Sequence, residues 1–467
     1  MLFNSFAFLM FFPVVCIIYY AIPSVRYRNL FLLIASYYFY MNWEPVYALL
    51  LLTSTVITYF SAIGINFYQE KTKKQICLTI NIVLNLSILF LFKYYNFMAD
   101  SVSLLLENAN IALPIPKFSL LLPVGISFYT FQALGYSIDV YRGTTNTEKN
   151  FFTYALFVSF FPQLVAGPIE RSSNLLPQFK EKQVFNYDNI MSGVRMMIWG
   201  YFLKLALADR CGAYVDAVFN NVDQHNGGSY LIASLLFSFQ IYGDFAGYSL
   251  VAIGVAKVMG FRLMNNFCRP YLSASVTEFW RRWHISLSTW FKDYVYIPLG
   301  GNRVGKARNY FNLLITFIIS GLWHGANWTF AVWGFLHGII LCIEKYLGFA
   351  KQQVSGLRRL WHWLMTFSIV CLAWIFFRVN TLNDAIIVIK GIFTNIEIPY
   401  LRLADFLAIA MALSILVFKE CKDEFKWNIH IANSQNWLVR HLYIVLAITY
   451  LILFGVLNGD QFIYFQF

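Results

Sequence analysis

Long stretches of this chain carry no Lys, Arg, Asp or Glu, among them residues 1–25, 45–69, 75–92, 118–138, 150–169, 309–343, 360–377 and 442–459. A helix crossing a bilayer needs about 17–25 mostly apolar residues. Most of these runs meet that length, and 309–343 is long enough for two spans. Only 12% of residues are charged and 59% are hydrophobic, whereas soluble domains average about 25% charged. That balance excludes a water-soluble globule, a disordered chain, a coiled coil and a secreted disulfide scaffold. The expected fold class is an all-α polytopic membrane protein with roughly ten to twelve spans at that length. One membrane-embedded domain is expected over 1–467, with N-terminal helices in 1–94, a catalytic core in 118–345 and C-terminal helices in 357–467. The first run lacks a basic leader and an A-x-A cleavage site, so it reads as a retained helix.

Charge between the runs sets the orientation. Arg26 and Arg28 follow the first span, Glu44 follows the second, and Lys71, Lys73 and Lys74 follow the third. By the positive-inside rule this places the N-terminus outside and the loops near 27 and 72 in the cytoplasm. The net charge of +12 then reflects basic cytoplasmic loops at a membrane surface, and no nucleic-acid partner is implied. The cysteines at 16, 77, 211, 268, 342, 371 and 421 form no C-x-x-C pair, so neither a disulfide framework nor a metal site is expected.

The middle of the chain departs from a simple bundle. Apolar runs end in Gly167-Pro168-Ile169-Glu170-Arg171 and in a polar segment from Gly135 to Gly143. Glycine, proline and charge at membrane depth are tolerated only where protein or a water-filled cavity surrounds them. The densest polar stretch, 262–308, includes Arg281, Arg282 and Arg303. Within it Trp280, Trp283, Leu287 and Trp290 recur at helical steps, predicting one amphipathic helix at the interface or dipping into the protein.

Three of the seven histidines are informative. His324 stands in Gly321-Leu322-Trp323-His324-Gly325, about 23 Å along a helix from the last basic residue of the preceding loop, hence inside a core about 30 Å thick. An ionisable residue there marks a candidate functional site; the alternative is a histidine bonded to a neighbouring helix carbonyl. His284 lies on the tryptophan stripe and could equally be interfacial, and His337 reads as structural. Asp244 and Asp139 could orient a histidine or pair with a cation. His225, His362, His430 and His441 read as interfacial or structural. No H-E-x-x-H, G-x-S-x-G, Walker loop or clustered histidine box is present, which sets aside the corresponding chemistries.

Several segments carry a resemblance. Leu122-Pro123-Val124-Gly125-Ile126-Ser127-Phe128-Tyr129, Ala166-Gly167-Pro168-Ile169, Asp244-Phe245-Ala246-Gly247-Tyr248-Ser249, the 280–291 stretch, Gly321-Leu322-Trp323-His324-Gly325 and the terminal Phe462-Ile463-Tyr464-Phe465-Gln466-Phe467 occur in an order that resembles the membrane-bound O-acyltransferases. The similar branch contains the alginate O-acetylation membrane subunit, with its peptidoglycan-acetylating and teichoic-acid-alanylating relatives. The resemblance implies a ring of tilted helices, with re-entrant and interfacial helices, around a central funnel. It implies that His324 is the essential histidine and that His284 matches a second, upstream polar position. One departure is Leu250, where many relatives carry an acidic residue.

On that resemblance, an acetyl group passes from cytoplasmic acetyl-CoA, a substrate rather than a bound cofactor, towards an extracytoplasmic polysaccharide. An SGNH-type acetyltransferase partner outside a bacterial plasma (inner) membrane is implied, with membrane lipid as the surroundings. Histidine suits a base near neutral pH, and Arg281, Arg282 and Arg303 suit the donor's phosphates. Two other readings compete: a transporter or flippase of polyprenyl-linked glycans, and a long-chain lipid or protein acyltransferase.

Overall fold

The computed structural model describes every residue except 112, 120, 350–354, 401–402, 430, 432–433, 435, 457–462 and 464–467. His430 and all of the terminal 462–467 motif but Ile463 therefore lie outside the described residues. Every regular element among the described residues is helical. Seven helices are long and apolar enough to cross a membrane: Tyr47–Phe67, Lys71–Asn108, Tyr187–Phe219, Gly227–Val258, Trp328–Leu347, Gly356–Arg378 and Trp437–Phe454. Further helices, among them Phe6–Ala21, Val25–Met41, Lys306–His324 and Leu403–Glu424, fall below that measure through length or polar content. This is a multi-pass membrane protein.

The chain divides into two compact units, Met1–Gly193 with Ala252–Met264, and Val194–Val251 with Asn265–Phe467. The segment expected as a core, 118–345, contributes to both.

In the first unit, buried polar side chains join neighbouring helices. Ser54 Oγ donates to Asn85 Oδ1 (2.5 Å), and Thr58 Oγ1 (3.1 Å) and Asn85 Nδ2 (2.8 Å) both donate to Asn81 Oδ1. Such pairs hold helices together where lipid removes any hydrophobic drive between them. Glu170 is 2% exposed and accepts from Asn174 Nδ2 (2.7 Å) and from the Met264 N–H. The charge in the Gly167–Arg171 segment is thus enclosed by protein, as the sequence required.

The second unit is organised around buried indoles, with Trp283, Trp333 and Trp374 among its largest fully buried side chains. Its tightest element is the hairpin of Lys306–His324 and Trp328–Leu347. A Cβ on Gly321 would lie 2.2 Å from the Phe330 carbonyl oxygen, and one on Gly334 would lie 2.2 Å from that of Phe317. Only glycine allows backbones this close. Gly321, three residues before His324, therefore seats the helix against its partner.

Candidate active site

His324 is the last residue of the Lys306–His324 helix and is 2% exposed. Its ring sits among Trp323 (4.9 Å between centroids), Trp333 (5.2 Å) and Phe377 (5.3 Å). The second histidine reaches it: the His284 and His324 rings are 6.3 Å apart. Two residues forty positions apart in the chain thus share one aromatic pocket, within reach of a single small group between them.

His284 arrives there by a break that the tryptophan spacing conceals. The stripe is two short helices, Val276–Arg282 and Ile285–Phe291, with His284 between them in the left-handed region at φ 43°. Trp280, Trp283 and Trp290 are all buried, so the segment packs into the protein. Glu344, from the hairpin's second helix, accepts from the backbone N–H groups of Val276 (2.6 Å) and Thr277 (2.8 Å). A carboxylate at that end satisfies orphan donors and suits the helix dipole.

Asn266 fixes His284. Its carbonyl accepts from the Ile285 N–H (2.9 Å), and its side-chain Oδ1 accepts from the Ser286 N–H (3.2 Å) and Ser286 Oγ (2.9 Å). Its Nδ2 donates to Ser249 Oγ (3.0 Å). A backbone N–H can only donate, so the oxygen of Asn266 is the atom that faces His284 Nδ1, 3.2 Å away. Nδ1 must then carry the proton, which leaves Nε2 with the lone pair. Burial holds the imidazole pKa down to about 3, because a desolvated imidazolium is disfavoured. His284 is therefore a neutral acceptor with a fixed tautomer. Nothing in the sequence singled out Asn266, since its partner is chosen by the fold.

The other sequence candidates separate. His337 is fully buried and its Nδ1 accepts from Trp280 Nε1 (3.3 Å), which ties it to the helix before His284. Asp244 holds no histidine: its carboxylate faces Lys204 Nζ (2.7 Å) and the Ile463 N–H (2.6 Å), and Lys204 also pairs with Asp209 (2.8 Å). Arg281 lines a cavity of about 420 Å³ with Lys292, Ile285 and Ser320, the last one helical turn before His324. Arg282 lies in ion pairs with Glu278 (2.6 Å) and Glu424 (2.9 Å), and Arg303 is exposed on a loop. The structure thus brings together His284 and His324, places Arg281 on a cavity that neither histidine lines, and sets Arg282 and Arg303 apart from that cavity.

The sequence pattern of MBOAT, the membrane-bound O-acyltransferase family, matches residues 147–386. This chain belongs to that family. Among relatives, it is 42% identical over 387 residues to a Pseudomonas syringae pv. tomato protein named "Probable alginate O-acetylase AlgI", covering 82% of this chain and 74% of the other. It is 38% identical over 390 residues to the peptidoglycan O-acetyltransferase of Helicobacter pylori, covering 78% and 73%. The teichoic acid D-alanyltransferase of Streptococcus thermophilus is 32% identical over 256 residues, covering 52% and 61%. The protein is a membrane-bound O-acyltransferase, which sets aside the transporter reading. His284, His324, Asn266 and Arg281 all fall within the matched span.

Proposed function

We propose that this O-acyltransferase takes an acetyl group from cytoplasmic acetyl-CoA and passes it outwards for O-acetylation of an extracytoplasmic polysaccharide, in the inner membrane of a bacterium. The observation that carries this reading is the pairing of His324 with a neutral His284 in one buried aromatic pocket. The names of the relatives, alginate and peptidoglycan acetylation, support a polymer as the final acceptor.

The chemistry needs a base, a carbonyl held in place and a leaving thiolate. His324 takes the proton of an acceptor hydroxyl as its oxygen adds to the thioester carbonyl. The carbon–sulfur bond then breaks, and coenzyme A leaves as a thiolate that recovers the proton. His284, with Nδ1–H spent on Asn266, presents its lone pair to the same pocket and positions the donor. Arg281 and Lys292 supply positive charge for the donor's phosphates, while the indoles exclude water that would hydrolyse the thioester.

The test is thioester turnover by purified protein in nanodiscs. His324→Ala should lower acetyl transfer about 10²–10⁴-fold, the usual contribution of a general base, with the melting temperature little changed. Near-normal turnover by the folded variant would remove His324 from this role.

A further inference from the structure

A second cavity, of about 910 Å³, lies away from the histidines in the second unit, between the helices Gly227–Val258, Gly356–Arg378 and Leu403–Glu424. It follows the last of these from Phe406 to Glu424, a length of about 27 Å at helical rise. That exceeds the half-thickness of the hydrocarbon core, about 15 Å, which one leaflet's chains fill. Its floor is apolar and buried, with Leu416 2% and Leu236 7% exposed, and its rim is apolar and open, with Phe406 43% and Val417 50% exposed. An open apolar cleft on a membrane-spanning body faces acyl chains, and water there would find almost no polar partner.

Only one end differs. Glu424 lies there, gripped by Arg269 Nε (2.7 Å) and by Arg282 Nη2 (2.9 Å). Arg359 comes third, at 3.4 Å, with 43% of its side chain exposed. Glu278 pairs with Arg282. Glu420, which also lines this end, accepts from the Tyr242 hydroxyl, and Arg359 is the most weakly held and most exposed of the three guanidinium groups. A guanidinium of this kind suits the two oxygens of a phosphodiester.

We propose that this groove is a binding site for an anionic phospholipid, with an acyl chain along Phe367, Leu413 and Leu416 and the phosphate on Arg359. The apolar length argues for a lipid over a free phosphate, which would gain nothing from it. The exposed guanidinium of Arg359 argues for an anionic headgroup over a zwitterionic one, whose own ammonium would lie beside it. Glu424 also holds Arg269 and Arg282, which flank the 269–282 segment leading into His284, so the occupied groove braces the chain that carries the second histidine.

The experiment is lipid retention measured by native mass spectrometry, on full-length protein equilibrated with vesicles of equal phosphatidylglycerol and phosphatidylcholine. Wild type should retain phosphatidylglycerol over phosphatidylcholine by about tenfold, the scale of one charge-assisted bond. Arg359→Gln should abolish that preference while keeping lipid, and Leu413→Trp, which fills the groove, should lose both lipids. Melting curves establish that each variant is folded. Equal retention of the two lipids by wild type overturns the proposal, and so does unchanged retention by folded Leu413→Trp protein. Capture of a polypeptide, instead of lipid, by a photoreactive group placed at Val417 overturns it as well.

Discussion

His284 occupies a left-handed backbone conformation at φ 43°, uncommon for a residue with a Cβ and sustained only where the surroundings over-determine it. The bonds from Ile285 and Ser286 to Asn266 do so here. Asn266 is thus a positioning residue that sets both the backbone and the tautomer of its histidine. Replacing it tests that role through a readout that packing alone would not move. In Asn266→Asp a carboxylate accepts the Nδ1–H bond, and the opposite charge stabilises the imidazolium, so the His284 pKa rises from its buried value of about 3. In the proposed mechanism His284 acts as the neutral ring, so the acid limb of kcat/KM should move to higher pH. Asn266→Ala should lower kcat about 10–100-fold, as loss of an orienting partner commonly does, without moving the limb upward. An Asn266→Asp enzyme whose acid limb stays in place would show that Nδ1 does not face this side chain.

Elements that depend on local pattern were legible in the sequence, and those set by distant partners were not. The charge-free runs at 45–69 and 360–377 announced the helices Tyr47–Phe67 and Gly356–Arg378 because length and hydropathy suffice for a span. The stripe of Trp280, Trp283, Leu287 and Trp290 read as a single helix because its period is unbroken. The break comes from Asn266, eighteen residues upstream, and no local propensity reports it. The same holds for Glu424, whose role emerges only when the Leu403–Glu424 helix brings it to Arg269 and Arg282. Burial pushes the Glu424 carboxyl up, but hydrogen bonds and charge from those arginines outweigh it and hold the pKa at about 2. Since an unfolded glutamate titrates near about 4.3, this clamp contributes fully above that pH. Its contribution is lost as pH falls from there towards 2. Glu424→Gln should therefore lower the melting temperature at pH 7 and flatten its decline between pH 5 and 3, as read by differential scanning fluorimetry in detergent. A variant that keeps the wild-type slope would move that acid sensitivity to other carboxylates.

For the whole molecule, the question is whether this chain finishes the polymer or passes its acyl group on. Among the described residues, every connection between helices is far shorter than the about 50 residues at the lower limit of a domain. The described chain thus offers no soluble fold with a groove for several sugars. His324 is 2% exposed and walled by Trp323, Trp333 and Phe377. A hydrated glycan strand entering that pocket would have to shed water from many hydroxyls and leave most of them unpaired against indole, at a cost of about 1–3 kcal/mol for each group so buried. A single hydroxyl on a small carrier or an inserted side chain pays that cost once. We propose an acyl relay, in which an extracytoplasmic SGNH-type transferase accepts the acetyl group and completes the ester on the polysaccharide. Reconstitution separates the two routes. Protein in nanodiscs with acetyl-CoA and polysaccharide alone should release little acetylated polymer, as read by ester analysis of the washed glycan, while thioester turnover with a small hydroxyl acceptor persists. Adding the partner transferase should restore polymer acetylation, and His324→Ala in the membrane protein should abolish it again. Efficient acetylation without any partner would instead mean that a chain end threads down to the histidines, and the indole walls would then have to open far enough to admit it.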